Sequence, residues 1–175
     1  MSYREYHYVG TKEILDASDL QPSGVPIYSV DDAAKWLAMA TTEKRKDGVW
    51  IATFTISTNL TLFIAPRRSE HVACASRGPV LSAGEIAFDE TIAVVEISNQ
   101  STGFCPEPES WPAVQATLES IGIAHPGSFT AKVIFRRCPL CNERNIVKDS
   151  WFVCQICETV LPQQWNFQDP EFKEN

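Results

Sequence analysis

The chain has 175 residues, 44% of them hydrophobic and 21% charged, with a formal net charge of −7. That length holds one core with room for a small appendage, and the composition is that of a folded globular chain. No apolar run reaches the length of a membrane span, and the acidic balance weighs against a duplex binder, which needs a basic face.

The start, Met1 to Gly10, is charged and aromatic and carries no apolar leader segment, so a cytoplasmic chain with reduced thiols is expected. Residues 1–28 hold Pro22, Gly24 and Pro26 and show no clear period. They read as an N-terminal arm with one short helix at Thr11–Asp16. A helix is expected from Ser29 or Asp31 to Thr41. Ser29 suits its cap, Asp31 and Asp32 suit its positive end, and Ala34, Leu37 and Ala38 give the apolar stripe. Residues 42–48 are a charged loop ending in Gly48.

Val49–Ile56 alternates Trp50, Ala52, Phe54 and Ile56 against Val49, Ile51, Thr53 and Thr55, and reads as a strand. Residues 60–65 return as a second. Pro79–Phe88 and Thr91–Ser98 form another pair, linked by a tight turn at Asp89-Glu90. After a loop over 99–109, Pro112 opens a helix whose buried side carries Val114, Leu118 and Ile121, and Gly122 ends it. Ser128–Phe135 reads as a last sheet strand running directly into the C-terminal unit. No βαβ unit repeats. The expected class is α+β, an antiparallel sheet with one or two packed helices. The expected division is an arm (1–28), an α+β domain (29–135), a zinc ribbon (136–167) and a frayed tail (168–175).

The C-terminal unit carries the strongest motif. Cys138-Pro-Leu-Cys141 is followed after twelve residues by Cys154-Gln-Ile-Cys157. Two C-x-x-C pairs at this separation are the pattern of a tetrahedral zinc site of the ribbon kind, with one structural ion and no open position. The alternatives are disulfides, which a reducing compartment disfavours, and a redox pair, which belongs at a strand-to-helix junction. Asn145–Val147 and Ser150–Val153 are expected as a hairpin joined at Lys148-Asp149. Asn142 tolerates the left-handed backbone that a knuckle needs, and Glu158 suits it less. Residues 161–167 close the ribbon. Cys74, in an apolar stretch, reads as a buried inert thiol.

The ribbon's Arg136, Arg137, Arg144 and Lys148 form at most a small basic patch, and four thiolates around one zinc add about two negative charges. A protein partner is therefore favoured over nucleic acid, with no membrane role and a small-molecule ligand still open. Trp151, Phe152, Trp165 and Phe167 are candidate partner-facing aromatics.

A second constellation spans His71-Val-Ala-Cys-Ala-Ser-Arg-Gly-Pro-Val-Leu-Ser-Ala-Gly-Glu85 and Ile97-Ser-Asn-Gln-Ser-Thr-Gly-Phe-Cys-Pro106. It resembles a module of the C-terminal domains of some bacterial secreted toxins and effectors, and of plant calmodulin-binding proteins of the IQ-motif class. His71, Pro79, Val80, Ala83, Gly84 and Glu85 fall in step with that module, as do Ser98, Asn99, Ser101, Gly103, Phe104 and Pro106. Thr102 is an insertion, and Phe104-Cys105 stands where the module has His-Tyr. The resemblance covers about residues 49–122 and implies a toxin, immunity or defence setting.

Two functional readings follow. One is a zinc-ribbon adaptor that binds a protein partner. The other is an enzyme or enzyme-derived domain with a nucleotide-like or peptide-like ligand near His71 and Glu85, where His71, Glu85, Asn99 and Ser101 are the candidate catalytic residues. Against the second stands a purely structural role, since Asn and Ser stabilise turns and a His–Glu pair can fasten a loop.

Overall fold

The structure, a computed structural model, describes residues 2–168. The fraying expected of residues 169–175 lies outside them.

Five strands form one antiparallel sheet: β1 (Val25–Ile27), β2 (Trp50–Ser57), β3 (Leu62–Pro66), β4 (Val80–Phe88) and β5 (Val94–Ile97), in the order β1-β3-β2-β4-β5. The α+β class stands as expected. The helices are α1 (Lys12–Ala17), α2 (Val30–Met39), α3 (His71–Cys74) and α4 (Trp111–Ile121). Thr11 caps α1, and Ser29 caps α2 by accepting from the Asp32 N–H at 3.1 Å. Gly122 closes α4 at φ +87°, the left-handed conformation glycine adopts without penalty.

The alternation in β2 sorts its side chains to two faces. Ala52, Phe54 and Ile56 join the main core with Ala33 and Leu37 of α2 and Val114 and Leu118 of α4. Each fully buried Phe, Ile, Leu or Val among them contributes roughly 1.5–3 kcal/mol. On the opposite face Thr55 meets the Cys74 thiol of α3 at 3.7 Å, and Thr53 donates to the Arg67 carbonyl at 3.0 Å. Tyr6, Val72, Val80, Ala83 and Phe104 form a second cluster. The sheet is thus covered on both sides.

Residues 1–28 engage this sheet more closely than their sequence suggests. Tyr6 exchanges backbone hydrogen bonds with Val80 at 2.7 and 2.9 Å, and β1 pairs with β3. The turn between β4 and β5 is longer than a two-residue hairpin. Asp89 holds it by accepting from Thr91 and Ala93, with Ile92 at φ +65°.

Two C-terminal expectations need correction. The strand expected over Ser128–Phe135 is β6 (Ile134–Arg137), and it lies outside the main sheet, paired with β7 (Arg144–Val147). Upstream of β6 the chain touches β5 only briefly, Thr130 and Ala131 N–H both donating to the Ile97 carbonyl, and side chains add to that contact. Thr130 Oγ1 bonds Ile97 on both its N–H and its carbonyl, and Asn99 does the same to Val133. The hairpin expected between 145–147 and 150–153 is absent. The first knuckle reverses the chain instead, so β7 returns along β6, and Asp149 and Ser150 both turn at positive φ. The closing segment 161–167 is an irregular strap, held by Asn166, which accepts from the Arg137 N–H and donates to its carbonyl.

Candidate metal centre and the cleft beside it

Each knuckle is built by the same backbone bonds. Cys138 N–H donates to the Glu143 carbonyl at 2.8 Å and Asn142 N–H to the Cys138 carbonyl at 3.0 Å. In the second, Cys154 N–H donates to Thr159 at 2.8 Å and Glu158 N–H to Cys154 at 3.0 Å. Asn142 and Glu158 both sit at left-handed φ, +64° and +59°. Glu158 adopts that conformation although its side chain suits it less than Asn does.

Four sulfurs converge as a result. Those of Cys138, Cys141, Cys154 and Cys157 lie within 4.8 Å of one another and can hold one metal ion. Cys138 and Cys157 are 3.5 Å apart, Cys141 and Cys154 3.6 Å. The N–H groups of Leu140 and Ile156 point at the first sulfur of their own knuckle, each at 3.4 Å. Asn145, on β7 and 4% exposed, was not evident from sequence as part of the site. Its Nδ2 donates to Cys154 Sγ at 3.5 Å and its Oδ1 accepts from Gln155 N–H at 2.9 Å. The signal was there in principle, as a polar residue beginning the apolar run Asn145-Ile-Val.

Electrostatics favour thiolates at two positions. Burial opposes ionisation of Cys154, but the N–H groups of Cys157 and Ile156 and the Asn145 amide outweigh it and push its thiol down to about 6. Cys157 is lowered by Thr159, whose hydroxyl and N–H both face it. For Cys141 the Glu143 N–H acts downward, yet burial and the three neighbouring sulfurs push it up to about 12. A cation among the four removes that mutual repulsion.

The ribbon is fastened to the sheet through Arg136, 4% exposed. It donates to Glu107 at 2.7 Å and to the carbonyls of Phe135, Pro162 and Gln163. Arg137 stacks 5.2 Å from the Phe167 ring, and Arg144 donates to the Thr102 carbonyl. Three of the four basic side chains thus make internal contacts. Of the four aromatics, Trp151 is 70% exposed, whereas Phe152 packs against the cysteine cluster and Trp165 and Phe167 pack beside Phe135.

The second constellation is distributed over several local roles. His71 Nε2 lies 3.0 Å from the Gly84 carbonyl, and burial of the ring holds its pKa below the ordinary value. Glu85 pairs with Arg67 at 3.1 Å. It lines a hollow of about 370 Å³ with Glu96, Ser98 and Thr130, to which His71 does not contribute. Asn99, fully buried, spends its amide on Pro106 and Val133. Ser101 is buried, with its Oγ unpartnered among the described residues. Gly84 earns its place by close approach: a Cβ there would meet the Ser98 carbonyl oxygen at 1.9 Å. Cys74 is buried, which raises its thiol to about 12 and keeps it protonated.

A separate cleft of about 760 Å³ opens between the N-terminal arm, the start of α4 and the strap at 163–168. Arg136, Glu107, Glu109 and Trp165 are among the residues facing it. No helix among the described residues is long and apolar enough to cross a membrane. No protein-family model, no curated protein and no solved structure matches this chain.

Proposed function

We propose that the chain is a zinc-ribbon adaptor: one structural Zn2+ on Cys138, Cys141, Cys154 and Cys157 holds two knuckles whose apolar tips meet a protein partner. Zinc–thiolate bonds of about 2.3 Å make tetrahedron edges of about 3.8 Å. The paired sulfurs at 3.5 and 3.6 Å fit such a shell closely. All four ligands come from the protein, which suits a structural ion and leaves no place for a reacting water.

The observation that carries the partner reading is the exposure of the knuckle tips. Leu140 and Ile156 occupy the same third position of the two C-x-x-C turns and are 73% and 70% exposed. Trp151 and Val160, on the same ribbon, are 70% and 72% exposed. Exposed apolar side chains gathered on one small unit mark a protein-binding surface. Nucleic acid is disfavoured because Arg136, Arg137 and Arg144 are turned to internal contacts in a chain of net charge −7. We read His71 and Asn99 as loop fasteners. The toxin, immunity or defence setting rests on the motif of residues 71–106 alone.

Elemental analysis of purified protein tests the metal, with one zinc per chain expected; absence of stoichiometric metal sinks this half. Affinity capture with wild type and with Leu140→Ser/Ile156→Ser tests the surface. A protein retained by wild type and lost by the variant, with zinc still bound in both, supports it. Equal retention, or salt-sensitive nucleic acid on the column, overturns it.

A further inference from the structure

The 760 Å³ cleft has a fixed aromatic wall. Trp165 donates its Nε1–H to the Cys105 carbonyl at 2.7 Å and stands edge-on to Tyr6, ring centroids 5.5 Å apart. Its face is therefore held in place. Over that face lies the guanidinium of Arg4, 5.2 Å from the ring centroid. Arg4 is exposed and arrives on the N-terminal arm.

The charges in the cleft sort into one neutral pair and two others. Arg136 and Glu107 neutralise each other at 2.7 Å. Glu109 is exposed and makes no ion pair among the described residues. Burial raises the pKa of the Tyr6 hydroxyl; the Glu107 backbone and the Arg4 charge act to lower it, and the Glu107 and Glu109 carboxylates act to raise it. They therefore share one small neighbourhood. Without Arg4, the cleft presents an immobilised indole face near an uncommitted carboxylate, with the carboxamides of Gln163, Gln164 and Gln168 around it. An indole face and a carboxylate together recognise a guanidinium. The net charge of −7 draws basic partners from a distance.

We propose that this cleft binds an arginine side chain from a basic peptide segment, and that Arg4 of the chain's own arm is the intramolecular occupant of the same seat. The site is distinct from the knuckle tips and does not depend on them.

The test titrates the full, zinc-loaded chain with N-acetylarginine amide, and with the uncharged isostere N-acetylcitrulline amide, following the Trp165 indole N–H by NMR. Wild type binds the arginine probe with a dissociation constant on the order of 1 mM or weaker. Arg4→Ala binds it about fivefold tighter, because a tethered competitor at millimolar effective concentration is gone. Arg4→Lys falls between wild type and Arg4→Ala, because an ammonium stacks on the indole less well than a guanidinium, and Arg4→Ala/Glu109→Gln loses most of the gain. Thermal melts that match wild type confirm that these exposed substitutions leave the fold intact. Equal response to the citrulline probe, no tightening in Arg4→Ala, or shifts that bypass Trp165 would each overturn the proposal.

Discussion

Asn99 holds Val133 as a neighbouring strand would: its Oδ1 accepts the Val133 N–H at 2.8 Å and its Nδ2 donates to the Val133 carbonyl at 2.7 Å. The same amide nitrogen reaches the Pro106 carbonyl at 2.8 Å. One buried side chain thus ties the loop after β5 to the segment that leads into the ribbon. Asn99→Ala leaves three backbone groups without their partner, a cost of about 2–4 kcal/mol. Urea unfolding measures the loss, and faster hydrogen exchange at the Val133 amide locates it.

Asn145 would act on an ion held by the four sulfurs through Cys154. Its amide orients the sulfur and helps hold it as a thiolate. Removing such a support lowers metal affinity by about 10–100-fold. Asn145→Ala should therefore surrender zinc to a competing chelator at correspondingly lower chelator concentration, while still binding one ion per chain. Unchanged competition would show that the amide is irrelevant to the site.

Gly84→Ala drives a methyl group into the Ser98 backbone, which has no flexible end to yield. Overpacking of this kind costs about 1–3 kcal/mol, and a backbone obstacle places it at the upper end. The expected result is a lower melting temperature with disturbed β4–β5 amide resonances. A variant as stable as wild type would mean that the two strands can part there freely.

His71 sets a pH dependence. Burial lowers its folded pKa below the ordinary imidazole value of 6.5, so the ring stays neutral to lower pH in the fold than in the unfolded chain and takes up a proton on unfolding in acid. The unfolded state then binds more protons, and stability is lost as pH falls through 6.5 toward the lower folded pKa. The slope is bounded by about 1.4 kcal/mol per pH unit for one proton. Chemical denaturation at a series of pH values should show a shallower acid loss in His71→Gln than in wild type. Parallel curves would remove His71 as the cause.

Sequence made the sheet and the cysteines legible for different reasons. β2 could be read because Trp50, Ala52, Phe54 and Ile56 alternate with Thr53 and Thr55, and the two sets do face different layers. The knuckles could be read because metal-ligand spacing is a local geometric requirement that survives any tertiary context. The ribbon's strand pairing was illegible. Asn145–Val147 has the same propensity whichever strand lies beside it, and only the reversal at the first knuckle chooses β6. The engagement of residues 1–28 was hidden too, since β1 is three residues long and contains Pro26. His71, Glu85, Asn99 and Ser101 attracted attention as chemistry, yet turn-forming and loop-fastening residues share the same letters. Arg136 looked like surface charge, and nothing local announced that Glu107, far back in the chain, would meet it.

The edge-on contact of Tyr6 with Trp165 joins segments far apart in the chain. During synthesis the early arm can dock on β4, but its outer flank stays bare until Trp165 has left the ribosome tunnel. Consolidation of this region therefore waits for residue 165. Until then the Tyr6 ring lacks its aromatic neighbour at that flank.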